Sequence, residues 1–539
     1  MRTALLMPLA LFACRKDTPA TESPADSAGP EVLVVESGII PCEDPNIRET
    51  LGPFVPRGVS DGWPLAEAED PIQAWGLVVA DFDGDGWPDV FVPGQPGPSR
   101  LLMGGEGGFV DETEARMPDP LDLANGASAA DVDGDGDLDL WVGLAHDHDR
   151  ILMNDGAGVF DDKTPAAMVS HIALLASGGS WADADGDDDL DLFVYTAAGP
   201  PACERGVWQD LADGNTLWGN LGEFSFSDES VRLPPALLAG YTQAGGWHDI
   251  DGDLDPDLLT VNDYGPLLSG NAVALNHNAT FSQPAETGLE VAAFGMGLAV
   301  GELNGDGTPD FLVSDWDRME LLLSDGSGGW YDAASSLRLG SFTLERHAAW
   351  SGSFGDIDLD GDLDIFAAFG PVPGPESAPE DDCLSAFPLN SADQPDALWI
   401  ATPDGYFESA RESAVADIGN NRGSLFADLN RDGNLDLLVR SLDGRTLLYT
   451  ARCDAAAWLE IDLRQPGGNP YAVGARVQIG AQTRWVEIGG TTINGSAPTT
   501  LHFGMGEAET ADITVTWPDG EESVVSGVST RQILRIERQ

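Results

Sequence analysis

The sequence predicts an all-β protein: a seven-bladed β-propeller with one Asp-rich loop per blade, followed by a small β-sandwich or barrel. Three observations predict it. A nine-residue pattern, acid-x-acid/Asn-x-Asp-x-x-x-Asp, recurs seven times. Each copy sits in the same run of short apolar segments and Gly-rich turns. After the seventh copy the pattern stops, and residues 454–539 show short alternating segments such as Trp458-Leu-Glu-Ile-Asp-Leu463 and Gln532-Ile-Leu-Arg-Ile536. Alternation of that kind is the mark of half-buried strands.

The copies are DFDGDGWPD, DVDGDGDLD, DADGDDDLD, DIDGDLDPD, ELNGDGTPD, DIDLDGDLD and DLNRDGNLD, and their starts are 50, 52, 66, 53, 54 and 72 residues apart. Around each, one strand leads in (Gly76-Leu-Val-Val-Ala80), a second leaves (Asp89-Val-Phe-Val92), and a third follows, as in Arg150-Ile-Leu-Met153. A Gly-rich turn and an aromatic then open a fourth. Four short strands per unit of about 50 residues is the pattern of a propeller blade.

The opening aromatics of the fourth strands are Phe109, Phe160, Phe224, Phe281, Trp330 and Phe407, one short of seven. The missing one stands ahead of the first blade, at Gly52-Pro53-Phe54-Val55. This N-terminal strand is therefore expected to complete the last blade and close the ring. Cys42 and Cys453 flank the two segments and form a candidate disulfide across the closure.

Within each loop, positions 1, 3, 5 and 9 bring hard oxygen donors toward one point. The first four sets are Asp81, Asp83, Asp85 and Asp89; Asp131, Asp133, Asp135 and Asp139; Asp183, Asp185, Asp187 and Asp191; and Asp249, Asp251, Asp253 and Asp257. The remaining three are Glu302, Asn304, Asp306 and Asp310; Asp356, Asp358, Asp360 and Asp364; and Asp428, Asn430, Asp432 and Asp436. Flexible oxygen ligands suit calcium, whereas magnesium demands a tighter octahedron and keeps more water. Two carboxylates ~4 Å apart repel by roughly 4 kcal/mol at an effective dielectric of ~20, so four together call for a cation. Up to seven structural calcium ions are expected, with loops five and seven weakest because Asn replaces an acid. An EF-hand is excluded, because position 12 is Val92 or Val142 where a bidentate Glu is required.

With 91 acids against 26 bases the net charge is −65, which excludes nucleic-acid binding. Seven calcium ions would leave about −51, so an acidic solvating surface accompanies the loops. The N-terminus reads as an export signal over residues 1–14: Arg2, an apolar run over 4–13, then Leu11-Phe12-Ala13-Cys14. The tetrapeptide resembles a bacterial lipobox, which makes Cys14 the lipidation site; an ordinary cleaved signal is the alternative. Residues 15–49 are expected to be a flexible tether, 50–453 the propeller and 454–539 the β domain. The expected location is the bacterial cell envelope, as an outer-membrane or surface lipoprotein held by its lipid alone. Cys203 and Cys383 lie in the two longest insertions and form a second candidate disulfide.

The repeats, matching over roughly 50–450, resemble the FG-GAP/VCBS family of calcium-bearing propeller repeats, found also in integrin α-subunit heads. Ala472-Val-Gly-Ala-Arg-Val477, His502-Phe-Gly-Met-Gly506 and Thr514-Val-Thr-Trp-Pro-Asp-Gly520 are similar to the ASPIC/UnbV domain. The combination resembles bacterial relatives of cartilage acidic protein. The resemblance implies architecture and leaves the ligand open.

Catalytic motifs such as GxSxG, GxxxxGK[ST] and HExxH are absent from the sequence. His146-Asp-His148-Asp149 is its most metal-like histidine cluster, weighed against an exposed polar loop. The expected function is a non-enzymatic surface binding or adhesion module for a protein or glycan. Its ligand face is expected opposite the metal loops, where the insertions of blades three and six emerge; disordered excursions are the other reading of those insertions. The alternatives are an exported enzyme acting on polysaccharide at the axis, or a scaffold for another exported protein.

Overall fold

The computed structural model describes residues 29–37, 53–58, 63–65 and 74–539, except 120, 171–175, 198–201, 205–206, 210–213, 317, 340–346, 373–393, 411–414, 454–455 and 491–494. The signal segment and residues Cys14, Cys42 and Cys383 lie outside the described residues. Cys453 is disulfide-bonded. Cys203 lies in a hairpin, Ala202–Glu204 with Val207–Gln209, of which the backbone alone is described.

The protein is all-β. Among the described residues, each of the seven motif copies generates one four-stranded antiparallel sheet. The first sheet runs Val78–Ala80, Asp89–Val92, Arg100–Met103, Val110–Asp111, and the second runs Ala124–Ala130, Asp139–Leu144, Arg150–Asn154, Phe160–Asp162. Second strands are covered on both faces, so Asp139–Leu144, Asp191–Thr196 and Asp257–Asp263 are buried at every residue, the polar Thr260 and Asn262 included. The seventh sheet takes its fourth strand from the N-terminal side: Phe54–Pro56 pairs with Thr446–Ala451, Phe54 opposite Ala451. In the third sheet that strand is Phe226–Asp228, so Phe226 holds the place expected of Phe224, which turns at φ 56° just before it.

Neighbouring sheets share apolar cores in chain order, and the last returns to the first: Leu425, Leu438 and Leu448 of the seventh pack with Val79, Val90 and Leu102 of the first. First strands of adjacent sheets come so close that a Cβ on Gly126 would lie 2.0 Å from the Ser177 carbonyl oxygen. This crowding explains the small residues of Ala124–Ala130 and Ala176–Ala182.

The C-terminal segment forms two four-stranded sheets over a core that includes Leu459, Ile461, Val515, Trp517 and Ile536. One of them recruits Val32–Ser37, which pairs antiparallel with Gln532–Arg538. That stretch corrects the expectation of an unbroken flexible tether over 15–49. Its Val-Leu-Val-Val core supplies β-branched residues for an open sheet edge.

Candidate metal centres

Each loop joins the first and second strands of its sheet, so all seven share one face. The turn is made by the motif itself. In copy two, Asp131 accepts the N–H groups of Gly134 (2.8 Å), Asp135 (3.2 Å) and Gly136 (2.8 Å). Positions 4 and 6 are left-handed in every copy, including those without glycine: Asp188, Leu254, Leu359 and Arg431 have φ between 60° and 77°. Holding a side chain there costs about 1–2 kcal/mol, which the rest of the loop must offset.

Position 9 has a role the sequence did not reveal. In all seven copies one of its oxygens accepts the N–H of position 2 and the other the N–H just beyond or at the end of the third strand. Asp139 takes Val132 (3.0 Å) and Asn154 (2.8 Å), and Asp436 takes Leu429 (3.2 Å) and Ala451 (2.7 Å). Asp89, Asp191, Asp257, Asp310 and Asp364 repeat the bridge. The ninth residue therefore fixes the loop to its blade as well as facing the metal position. Asparagines tie successive loops together: Asn154 donates to the Phe82 carbonyl, Asn220 to that of Val132 and Asn276 to that of Ala184.

The ligand oxygens converge. In copies two, three and four the acids of positions 1, 3 and 9 place one oxygen each within 4.8 Å of one another, and in copy one positions 1, 3 and 5 do so. Carboxylate oxygens of Asp81, Asp83 and Asp185 are buried with no hydrogen-bond donor. Burial pushes the carboxyl of Asp81 up to about 6, Asp131 to about 7, and Asp89, Asp139, Asp191 and Asp257 to about 8. Orphaned, desolvated carboxylates in a group are the donor set a hard cation fits. Loop five is poorer: Asn304 points its amide nitrogen toward Asp310 (3.4 Å) and its oxygen accepts from Asp306 N–H (3.0 Å). In loop four, His277, which the sequence reading passed over, joins Asp251 and Asp253, with Nδ1 2.7 Å from Asp253. Asp149 of the histidine-rich stretch is buried and accepts Leu144 N–H (3.2 Å), capping a strand end.

The C-terminal domain lies on this same face. Tyr471 donates to the Gly136 carbonyl (3.0 Å), Gly468 N–H to Asp188 (2.9 Å), Gly506 N–H to the Leu359 carbonyl (2.8 Å) and His502 Nε2 to the Gly433 carbonyl (3.0 Å). These contacts reach loops two, three, six and seven. Ile488 and Ser496 hydrogen-bond the first strands of the third and first sheets, at Trp181 and Val79, so this segment enters between the sheets at the axis. A cavity of about 220 Å³ remains between the domains, lined by Asp356, Asp428, Glu460, Arg484, Glu487 and His502 among others.

The FG-GAP-like repeat model matches residues 81–142, 131–194, 249–313 and 303–367, and the ASPIC and UnbV model matches residues 465–539. Six of the seven motif copies fall inside the first set; the seventh is identified by its geometry. No curated protein matches the chain. Among solved structures it is similar to an Agrocybe aegerita lectin described for recognition of non-reducing terminal N-acetylglucosamine, at 14% identity and TM-score 0.42, covering 70% of this chain and 94% of that one. It is similar also to the BP39L lectin of Burkholderia pseudomallei, at 10% identity and TM-score 0.45, covering 71% and 97%. A third is the rhamnogalacturonan lyase YesW, at 13% identity and TM-score 0.36, covering 79% and 80%.

Proposed function

This chain carries FG-GAP-like repeats followed by an ASPIC and UnbV domain, and from that premise we propose an exported, lipid-anchored, seven-bladed propeller that acts as a calcium-stabilised, non-enzymatic binding module for glycans. The observation that carries the reading is the division of labour between the faces. The C-terminal domain occupies the loop face, so the calcium sites serve stability and docking, and ligand contact falls to the opposite face.

That opposite face carries a chain of rings. Tyr241 and Tyr264 lie 5.3 Å apart between centroids, Tyr264 and Phe294 6.2 Å, Phe294 and Trp316 5.7 Å, and Trp75 and Trp350 5.5 Å. Trp75, Trp316 and Trp350 belong to one apolar cluster, and the Arg422 guanidinium stacks 3.7 Å over Trp350. Tyr264, Phe294, Trp316 and Trp75 are half-buried, so the rings combine fixed positions with accessible area. Rigid aromatic faces beside polar groups fit sugar rings, which alternate apolar faces with hydroxyls. The net charge favours neutral glycans at low salt.

Titrating a panel of neutral polysaccharides into the calcium-loaded mature chain tests this. Trp316→Ala and Tyr264→Ala are each expected to weaken binding at least tenfold and to leave the calcium-dependent thermal shift unchanged. Binding indifferent to both substitutions, or cleavage of the glycan during titration, would overturn the reading.

The raised carboxyls give a second expectation. A carboxyl whose pKa is higher folded than unfolded binds more protons in the folded state, so its contribution to stability falls as pH rises between the two values. In EDTA the melting temperature should therefore fall between pH 5 and pH 8, the window of the groups at about 6 to 8. With saturating calcium, which binds the deprotonated form, that fall should vanish or reverse.

A further inference from the structure

The strand Ala457–Arg464 alternates, as its sequence demands. Leu459, Ile461 and Leu463 enter the core of the C-terminal domain, and Trp458, Glu460 and Asp462 point the other way, toward the propeller. Trp458 lies against Gly433 of loop seven so tightly that a Cβ there would sit 1.7 Å from the indole. Glu460 and His502 are direct cross-strand partners, and His502 donates to the Gly433 carbonyl at 3.0 Å. These contacts set the Glu460 side chain over the seventh loop.

Glu460 is 8% exposed. Among the described residues it accepts no hydrogen bond and joins no ion pair within 4 Å, and the charges acting on it are the Asp428 and Asp432 carboxylates and the Arg431 guanidinium of the seventh loop. Together with Asp428, position 1 of the seventh loop, it lines the cavity of about 220 Å³ and also an adjoining one of about 280 Å³. A largely buried carboxylate facing two carboxylates of a metal loop is balanced only in part by Arg431, and a divalent cation would offset the remaining repulsion. Loop seven is also one of the two copies with Asn at position 3, and Asn430 spends its side-chain oxygen on the Asp432 N–H (3.0 Å). The loop lacks one acidic ligand, and the docked domain brings one acid to it.

We propose that Glu460 is a ligand, supplied by the C-terminal domain, to the divalent cation of the seventh loop, so that this site is complete only when the two domains are docked. The proposal rests on the calcium reading above and adds a role to it: the seventh ion clamps the domains together.

The test uses the mature full-length chain, with calcium as the probe and three variants: Glu460→Gln, Asn430→Asp/Glu460→Gln, and Asp306→Asn in loop five as a comparison. Calcium stoichiometry and affinity by equilibrium dialysis are read beside thermal unfolding in EDTA and in calcium, and beside protease sensitivity of the linker near residue 454. Glu460→Gln is expected to lose one site or weaken it at least tenfold. It should melt at or above wild type in EDTA, because a buried charge is gone, and below wild type in calcium. The linker should become cleavable in calcium, which Asp306→Asn should not cause. The added acid of Asn430→Asp should restore the seventh site's affinity. Equal stoichiometry and affinity in wild type and Glu460→Gln would overturn this inference alone. A wild-type chain that takes up no calcium would overturn the underlying reading as well.

Discussion

Stripping the mature protein with excess EDTA is expected to lower its melting temperature by about 10 °C or more, and millimolar calcium should restore it. The size follows from mass action. A ligand bound only to the folded state adds ~2.7 kcal/mol per site at a hundred times its dissociation constant, so three occupied loops contribute about 8 kcal/mol. One kcal/mol moves the midpoint of a 150–250-residue domain by about 2–4 °C, and a larger cooperative unit by less. Screening offers a competing account, since sodium chloride also relieves repulsion in a chain of net charge −65. Specificity separates the two: magnesium at equal ionic strength should recover only a minor part of the loss, because loops of carboxylates and carbonyls do not impose its octahedron. Equal recovery by calcium, magnesium and a matched concentration of sodium chloride would reduce the loops to screened acidic turns.

How much of this was legible in the sequence can be traced residue by residue. The seven copies gave the sheets, because four short strands per period admit few other arrangements. Phe54 gave the borrowed strand, because one opening aromatic was missing at one end and spare at the other. Phe224 was misread for Phe226 since two aromatics stand in one turn, and pattern alone does not say which of them starts the ladder. Val32–Ser37 was absorbed into a polar, Pro-rich stretch, and its partner is almost 500 positions away at Gln532–Arg538. His277 escaped because it ends the third strand of its sheet, two strands beyond the loop it joins. The docking of the C-terminal domain had no local signal at all. Contacts such as Tyr471 with Gly136 depend on tertiary placement.

The division of the faces follows from the same placement. Ile488 and Ser496 reach the first strands of the third and first sheets, forming bridges with Trp181 and Val78. The acidic loops, which by composition alone look like a surface for cations and partners, become an interface between two parts of one chain. The charged groups left inside then lie at the domain contact, while the aromatic rings stand at the far ends of the first and second strands, away from it.

The sharpest consequence concerns two residues of the same loop that look alike in sequence. Asp133 and Asp139 are both acids of the second motif, but Asp133 faces only N–H groups within its own turn, whereas Asp139 accepts Val132 N–H (3.0 Å) and Asn154 N–H (2.8 Å) and so joins the loop to the third strand. Asp139→Ala leaves both donors buried and unpaired, at about 1–3 kcal/mol each, so a loss of roughly 2–6 kcal/mol is expected in EDTA as well as in calcium. Removing a desolvated carboxyl offsets part of this, but the orphaned donors win because they sit on the backbone and cannot move to water. Asp133→Ala removes one of a repelling group, and the Asp135 N–H it faces keeps its bond to Asp131 (3.2 Å), so its melting point in EDTA should equal or exceed wild type. In calcium it should forfeit one site, ~2.7 kcal/mol at a hundredfold excess over the dissociation constant. Thermal scans of the two variants in both buffers decide the matter. If Asp139→Ala melted like Asp133→Ala in EDTA, position 9 would be a ligand and nothing more. The two bridges it makes, repeated in all seven motif-bearing sheets, would then contribute little to stability without the ion.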